Sequence, residues 1–343
     1  MGKKKVLLTM VIGLFCVTFV VASAMAAAIE IKLGHVDPTD PFVSKKGAGA
    51  LAFKDYVESR TGGAVEVKLF ADAQLGAERE LVEATKLGSI QMTMVSGGMA
   101  GHYKKAMLLD IPYLFSSAPV AWRTMDGWFG QELAADMLKE LGLRVLFYGE
   151  TGFRNFTSSV RPIKSPADLK GLKIRVMESP IYINLVKSLG AAATPMPGSE
   201  MYTAMQQKVV DGQENPVAVI VQYKMYEVQK YVCLDGDTYG CDFWVMNEKF
   251  FQSLPKETQA IVKQGAVVAG TVNRGIQTLL SILGVNTLKE KGMEIYTPNA
   301  KELAMFREAA QKPLTEYVEK QIGKEWVDKI LKAAKESEAS LSK

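Results

Sequence analysis

From Ile29 onward the chain alternates between short runs that fit a strand and longer runs that fit a helix, and this alternation narrows the fold more than any other feature. Residues 29–36 read as a strand with Ile31 and Leu33 on one face. Residues 43–60 carry Ala48, Leu51, Ala52, Tyr56 and Val57 at i, i+3 and i+4 spacing, which predicts a helix. Gly62-Gly63 breaks it, and Val65, Val67 and Leu69 mark a second strand. A helix over 76–87 and a strand over 90–95 follow, then Gly97-Gly98. Beyond Asp110-Ile-Pro-Tyr-Leu-Phe come a helical stretch from Ala118 to Leu141 and a strand over 144–148. Residues 152–237 repeat the pattern, and long helices are expected over 256–291 and 300–340 with a strand at 293–296 between them. Such an order predicts an α/β fold with a mostly parallel sheet and ligands at the carboxyl ends of its strands. No Pro/Ser-rich linker separates the halves, so short crossing strands are expected to join them, with boundaries near 150 and 240.

The first 28 residues are of another kind. Lys3, Lys4 and Lys5 precede an apolar run from Val6 to Val21, and small residues continue to Ala28. This is the form of a secretory signal peptide, with cleavage expected after Ala26 or Ala28. The run of about 16 residues falls short of the ~20 that a spanning helix needs. Cys16 lies inside the run behind Phe15, which argues against a lipid attachment site. The expected location is therefore the periplasm. Three of the 41 basic residues belong to this leader, leaving 38 against 37 acidic ones, close to neutrality. No long basic run remains for a nucleic-acid surface.

Without the leader two cysteines remain, Cys233 and Cys241, an even number in an oxidising compartment. The stretch Tyr231–Val245 reads as two strand arms around an Asp-Gly turn, which would bring the thiols within range of each other. A disulfide and two buried free thiols are equally compatible with it.

The segment GFRNFTSSVRPIKSPADLKGLKIRV at 152–176 sets Arg154 and Arg175 at the heads of two successive elements. Between them Ser165-Pro166-Ala167-Asp168 has the form of a helix start, and Gly171 is suited to end that turn. A guanidinium is permanently charged and its planar fork matches a carboxylate, so two converging on one cleft would hold an organic anion. Further on, TPMPGSEMYTAMQ at 194–206 reads as a loop and a helix capped by Ser199, and VVDGQENP at 209–216 ends that helix at Gly212.

Together FRNFTS, PADLKGLKIRV, TPMPGSEMY and VDGQENP resemble the solute-binding proteins of TRAP transporters, the dicarboxylate and sialate receptors. LGHVDP at 33–38, GGAVEVKLFADAQLGAERELVE at 62–83 and DIPYLF at 110–115 agree with them. The resemblance implies a two-lobed periplasmic-binding-protein clamshell with mixed, mostly parallel sheets and long C-terminal helices. Its chain would cross between lobes more than once, with 29–150 and 240–280 in one lobe and 151–239 and 281–343 in the other. It implies that Arg175 grips a substrate carboxylate, that Arg154 assists, and that Asn215 donates its amide to the same group. It also implies a receptor that docks on a TRAP permease; the lack of a separable linker predicts a monomer that closes on its ligand, and no cofactor or metal is expected. Glu78 and Ser96 match family positions that can face the ligand, and His35 follows the first strand in LGHVDP. Glu150 and Trp244, with Phe153 and Tyr239, are expected from position alone. Gly198 stands where many relatives carry an aromatic residue, and Ser96 where sialate-type members carry an acid. Dicarboxylates, sugar acids, keto acids and aromatic acids stay open as ligands.

Other chemistry is poorly supplied. Gly47-Ala-Gly-Ala-Leu-Ala52 fits a loose dinucleotide pattern, yet a polar stretch separates it from its strand and its glycines fall inside a helix. An NAD-dependent oxidoreductase is therefore the weaker alternative, as is a receptor for an ABC importer. Only His35 and His102 exist, with no His/Cys cluster at ligand spacing and no Gly-x-Ser-x-Gly elbow.

Overall fold

The computed structural model describes residues 29–342, so the expected leader lies outside the described residues. Its strands are β1 (Ile29–His35), β2 (Val65–Phe70), β3 (Met92–Val95), β4 (Leu143–Ser158), β5 (Lys173–Val176), β6 (Ala192–Pro195), β7 (Gly212–Pro216), β8 (Tyr231–Cys233), β9 (Tyr239–Asn247) and β10 (Glu294–Tyr296). Its helices in the first half are α1 (Lys45–Arg60), α2 (Glu78–Leu87), α3 (Ala118–Asp126), α4 (Trp128–Leu141), α5 (Pro166–Leu169) and α6 (Pro180–Ser188). The second half adds α7 (Met201–Gln206), α8 (Val217–Gln222), α9 (Glu248–Ser253), α10 (Lys256–Glu290), α11 (Ala300–Ile322) and α12 (Lys324–Leu341). Two of the expected helices are each split at a glycine, Gly127 between α3 and α4 and Gly323 between α11 and α12. Ser199 caps nothing, because a tight 3-10 turn over Gly198–Glu200 leads into α7 instead.

The strands run in the order β2-β1-β3-β9-β4-β7-β5-β6, with β8 beside β4 and β10 beside β8. The pairings are mixed: β1 with β2 and β3, and β5 with β6 and β7, are parallel, whereas β4 is antiparallel to all its neighbours. The link between the two halves differs from the expected short crossing strands. A single 16-residue strand, β4, pairs with β9 along its first part and with β7 and β8 along its last. Register shifts between Val145 and Phe147 and between Glu150 and Gly152 bend it on the way.

The same strand explains the cysteines. The arms β8 and β9 do not form a hairpin, since both lie antiparallel to β4, one after the other. Val232 faces Thr157 while Cys241 faces Glu150, which sets the cysteines roughly 20 Å apart at ~3.3 Å per residue. A disulfide needs Cα atoms within about 7 Å, and both thiols are free and buried.

One core packs the face of β1, β2, β3 and β9 against α1 and α10, with Trp244 at its centre. Gly49 of α1 lies there because a Cβ would stand 2.5 Å from Trp244 Cη2. A Cβ on Gly47 would come 2.6 Å from the Pro38 carbonyl. Close packing, not a phosphate, accounts for the glycines of GAGALA.

Candidate functional site

Lys173–Val176 forms its strand as the pattern predicts. Ser165 and Asp168 make a reciprocal capping box on α5, and Gly171 turns the chain at φ +79° before β5 begins. Arg175, near the carboxyl end of β5, lies opposite Thr194 of β6 and Gln213 of β7. Its guanidinium donates to the Met196 carbonyl from Nε (3.2 Å) and Nη2 (2.8 Å). The loop after β6 thus grips one edge of the fork. Arg175 is only 2% exposed, yet no Asp or Glu oxygen among the described residues lies within 4.0 Å of it. Burial lowers its pKa to about 10, with Glu214 partly opposing the shift, so it is still a cation at neutral pH.

Strand β7 sorts its side chains by alternation. Gln213 and Asn215 share the face of Arg175, and Asn215 Nδ2 donates to Gln213 Oε1. Glu214 points to the other face, where Arg154 of β4 meets it. Both Nε and Nη2 of Arg154 donate to the Glu214 carboxylate, and Nη2 also donates to the Glu214 carbonyl at 2.6 Å. The guanidinium lies over the Tyr182 ring, 5.0 Å from its centroid. Burial would lower the Arg154 pKa, but the Glu214 charge raises it above its ordinary value.

Arg175, Arg154 and Asn215 all line one cavity that opens to solvent. Glu78 and Ser96 line it from the opposite wall. Glu78 Oε1 accepts from the Ser96 amide (2.8 Å), the Ser96 hydroxyl (2.8 Å) and Lys46 Nζ (3.1 Å), and Oε2 accepts from the Gly98 amide (2.9 Å). Burial would raise the Glu78 pKa, but Lys46 and these amides lower it. Gly198 leaves the mouth open beside Arg175, since a Cβ there would lie 3.9 Å from Nη2. The walls meet at the rim. Tyr223 donates to the Val36 carbonyl at 3.2 Å, and Arg79 reaches Glu178 at 4.0 Å.

Three expected ligand residues lie outside the lining of this cavity. His35 is sealed behind the cavity at the end of β1, where burial lowers its pKa to about 4 and keeps it neutral. Trp244 is core. Glu150 turns away at the bend of β4, accepts from Trp122 Nε1 at 2.6 Å, and is raised by burial to about 7. Its neighbour Thr151 reaches the cavity instead. Phe153 and Tyr239 pack edge to face, 5.3 Å apart, outside the lining.

Asp37, Lys45, Lys46, Thr151 and Tyr223 line the cavity without having been singled out. Lys45 and Lys46 did carry a signal: two cations open α1, where the helix dipole disfavours positive charge. Asp37, Glu78 and Asp242 compensate them.

A buried cation without an acidic partner among the described residues, set in a polar cleft between two walls, suits a receptor for a small anionic solute. Residues 37–321 match the model for bacterial extracellular solute-binding protein, family 7, and the chain belongs to that family. It is 38% identical over 278 residues to the 2,3-diketo-L-gulonate-binding periplasmic protein of Escherichia coli K12, a match covering 80% of this chain and 83% of the relative. The sugar acid binding protein of Advenella mimigardefordensis in complex with galactonate superposes with a TM-score of 0.86 at 32% identity, over 90% of this chain and 99% of that one. A TRAP periplasmic solute binding protein of Shewanella oneidensis with bound succinate gives 0.84 at 28% identity, over 90% and 100%. The family consists of TRAP substrate-binding receptors, not enzymes, and the carboxylates in these relatives agree with the expected ligand class.

Proposed function

We propose that this chain is a periplasmic receptor that takes a small organic acid by its carboxylate on Arg175 and hands it to a TRAP-type permease. The observation that carries the reading is the Arg175 guanidinium, buried, held on one edge by the Met196 carbonyl and lacking any acidic partner among the described residues. A buried charge without a counterion is costly, and a carboxylate arriving there removes the cost. Asn215, on the same face, supplies an amide to the same group. Arg154 supports the reading differently from the sequence expectation: Glu214 takes its Nε and Nη2 and balances its charge, so it holds the wall without needing to touch the ligand.

The 2,3-diketo-L-gulonate, galactonate and succinate in the names of its relatives are all carboxylates, in keeping with this assignment. Export by the leader, with cleavage near Ala26 or Ala28, and docking of the liganded form on the permease complete the proposal. The test is a thermal-shift screen of the protein lacking residues 1–28 against organic acids, neutral sugars and amino acids. A ligand at 100 times its Kd adds about 2.7 kcal/mol. Shifts by acids alone are expected, and shifts confined to neutral solutes would overturn the reading.

A further inference from the structure

We infer, resting on the carboxylate reading above, that the solute is a hydroxylated monocarboxylate and that the site rejects a second carboxylate. On the wall facing Arg175, two cations meet three carboxylates. Lys45 Nζ lies 3.0 Å from Asp37, and Lys46 Nζ lies 3.1 Å from Glu78, 3.2 Å from Asp242 and 3.8 Å from Asp37. Burial alone would raise Asp37, yet the two ammonium groups hold it well below the usual carboxylate range, and Glu78 is lowered too. Asp37 and Glu78, which face the cavity, are therefore anions, and Asp242 stands behind them, so that wall sets three carboxylates against two ammonium groups.

The other lining cations are already neutralised. Arg154 is paired with Glu214, and Arg79 with Glu178 at the rim. Arg175 is thus the one lining cation without an acid among the described residues, enough for one carboxylate. A second carboxylate would end against Glu78 and Asp37.

The same wall suits hydroxyl groups. The Ser96 hydroxyl gives its proton to Glu78, and the Thr151 hydroxyl gives its proton to Asp242 at 2.7 Å, so both offer lone pairs to the cavity. Glu78 Oε2 holds one bond, to the Gly98 amide, and Lys45 Nζ one, to Asp37. A hydroxyl both donates and accepts, and so it matches this mixture. A carboxylate only accepts, and an alkyl chain leaves these groups unpaired.

Calorimetric titration at pH 7.5 with four- to six-carbon acids tests this, comparing each aldonate with the aldarate of equal length and with the unsubstituted fatty acid. At the best length the aldonate should bind about tenfold or more tightly than either, as expected where like charges or unpaired polar groups oppose the competitors. Equal or tighter binding of the aldarate, or of the fatty acid, would overturn the inference while leaving the carboxylate grip standing. Neutral alditols binding as well as the acids, or no acid binding, would overturn both. Glu78→Gln should narrow the gap between aldonate and aldarate; an unchanged gap in a folded variant rules out the negative wall as its cause. If that variant fails to fold, the wild-type comparison decides alone.

Discussion

Arg154 and Glu214 face each other across β4 and β7 as a two-point ion pair sealed from solvent, while one residue away along β7 the opposite face presents Asn215 to Arg175. Two arginines that read alike in the sequence therefore have opposite tasks. One completes a wall, and the other waits for a partner from outside. Substitution should separate them.

Arg175→Ala should weaken ligand binding by roughly 2–5 kcal/mol, about 30- to several-thousand-fold, and Arg175→Lys should stay at least about tenfold weak because a point charge cannot reproduce the fork. Arg175→Met should leave the unliganded protein as stable as the wild type or more so, since it removes a buried cation without an acid. Calorimetry with thermal melts checks both. Near-native affinity in folded Arg175→Lys would mean that charge alone suffices.

Arg154→Ala should act on the fold instead. It strands the Glu214 carboxylate in the interior, which typically costs about 3–5 kcal/mol, or roughly 5–8 °C in Tm for a chain of this length. Combining Arg154→Met with Glu214→Leu should recover much of that loss. A melt unchanged by Arg154→Ala would show that the pair contributes nothing.

The thiols should behave as two separate buried groups. Burial pushes both well above the ordinary thiol range, so neither reacts readily when folded. Without reductant, the protein lacking residues 1–28 should show two titratable thiols after denaturation and almost none before. Finding none after denaturation would demonstrate the disulfide that the collinear arms forbid.

How far the sequence discloses this site depends on how local each feature is. The capping box at Ser165, the position of Arg175 and the extent of α10 are set by neighbours within a few residues, and all three are readable. The Arg154 pairing depends on Arg154 standing opposite Pro216 in the register of β4 and β7, a relation between strands some 60 residues apart. The burial of Lys45 and Lys46 likewise depends on Asp242, far along the chain. The Asp-Gly stretch before Tyr239 looks like a hairpin turn until β4 is known to run beside both arms.

That stretch also predicts a pH dependence. Asp235 and Asp237 are buried, each with one carboxylate oxygen lacking a partner among the described residues. Burial raises Asp235 to about 8 and Asp237 well above its ordinary value. The folded state thus keeps protons that the unfolded state releases near pH 4. Their contribution is full below that point and is lost as the pH rises towards 8. Asp235→Asn keeps an oxygen for the Phe156 amide and cannot ionise. Its stability relative to wild type should rise between about pH 5 and 8. Chemical denaturation of both proteins across that range checks it, and parallel curves would show that Asp235 ionises normally.

The place of β9 has a consequence for how the molecule is made. Met92 of β3 pairs with Met246, so the strand that covers β3, β9, comes more than 140 residues later in the chain. Until β9 reaches it, Met92-Thr-Met-Val would present a bare, apolar edge. The N-terminal third is thus an adhesive fragment until the rest arrives. Truncations ending before Tyr239 should be recovered as aggregates rather than as a smaller folded protein.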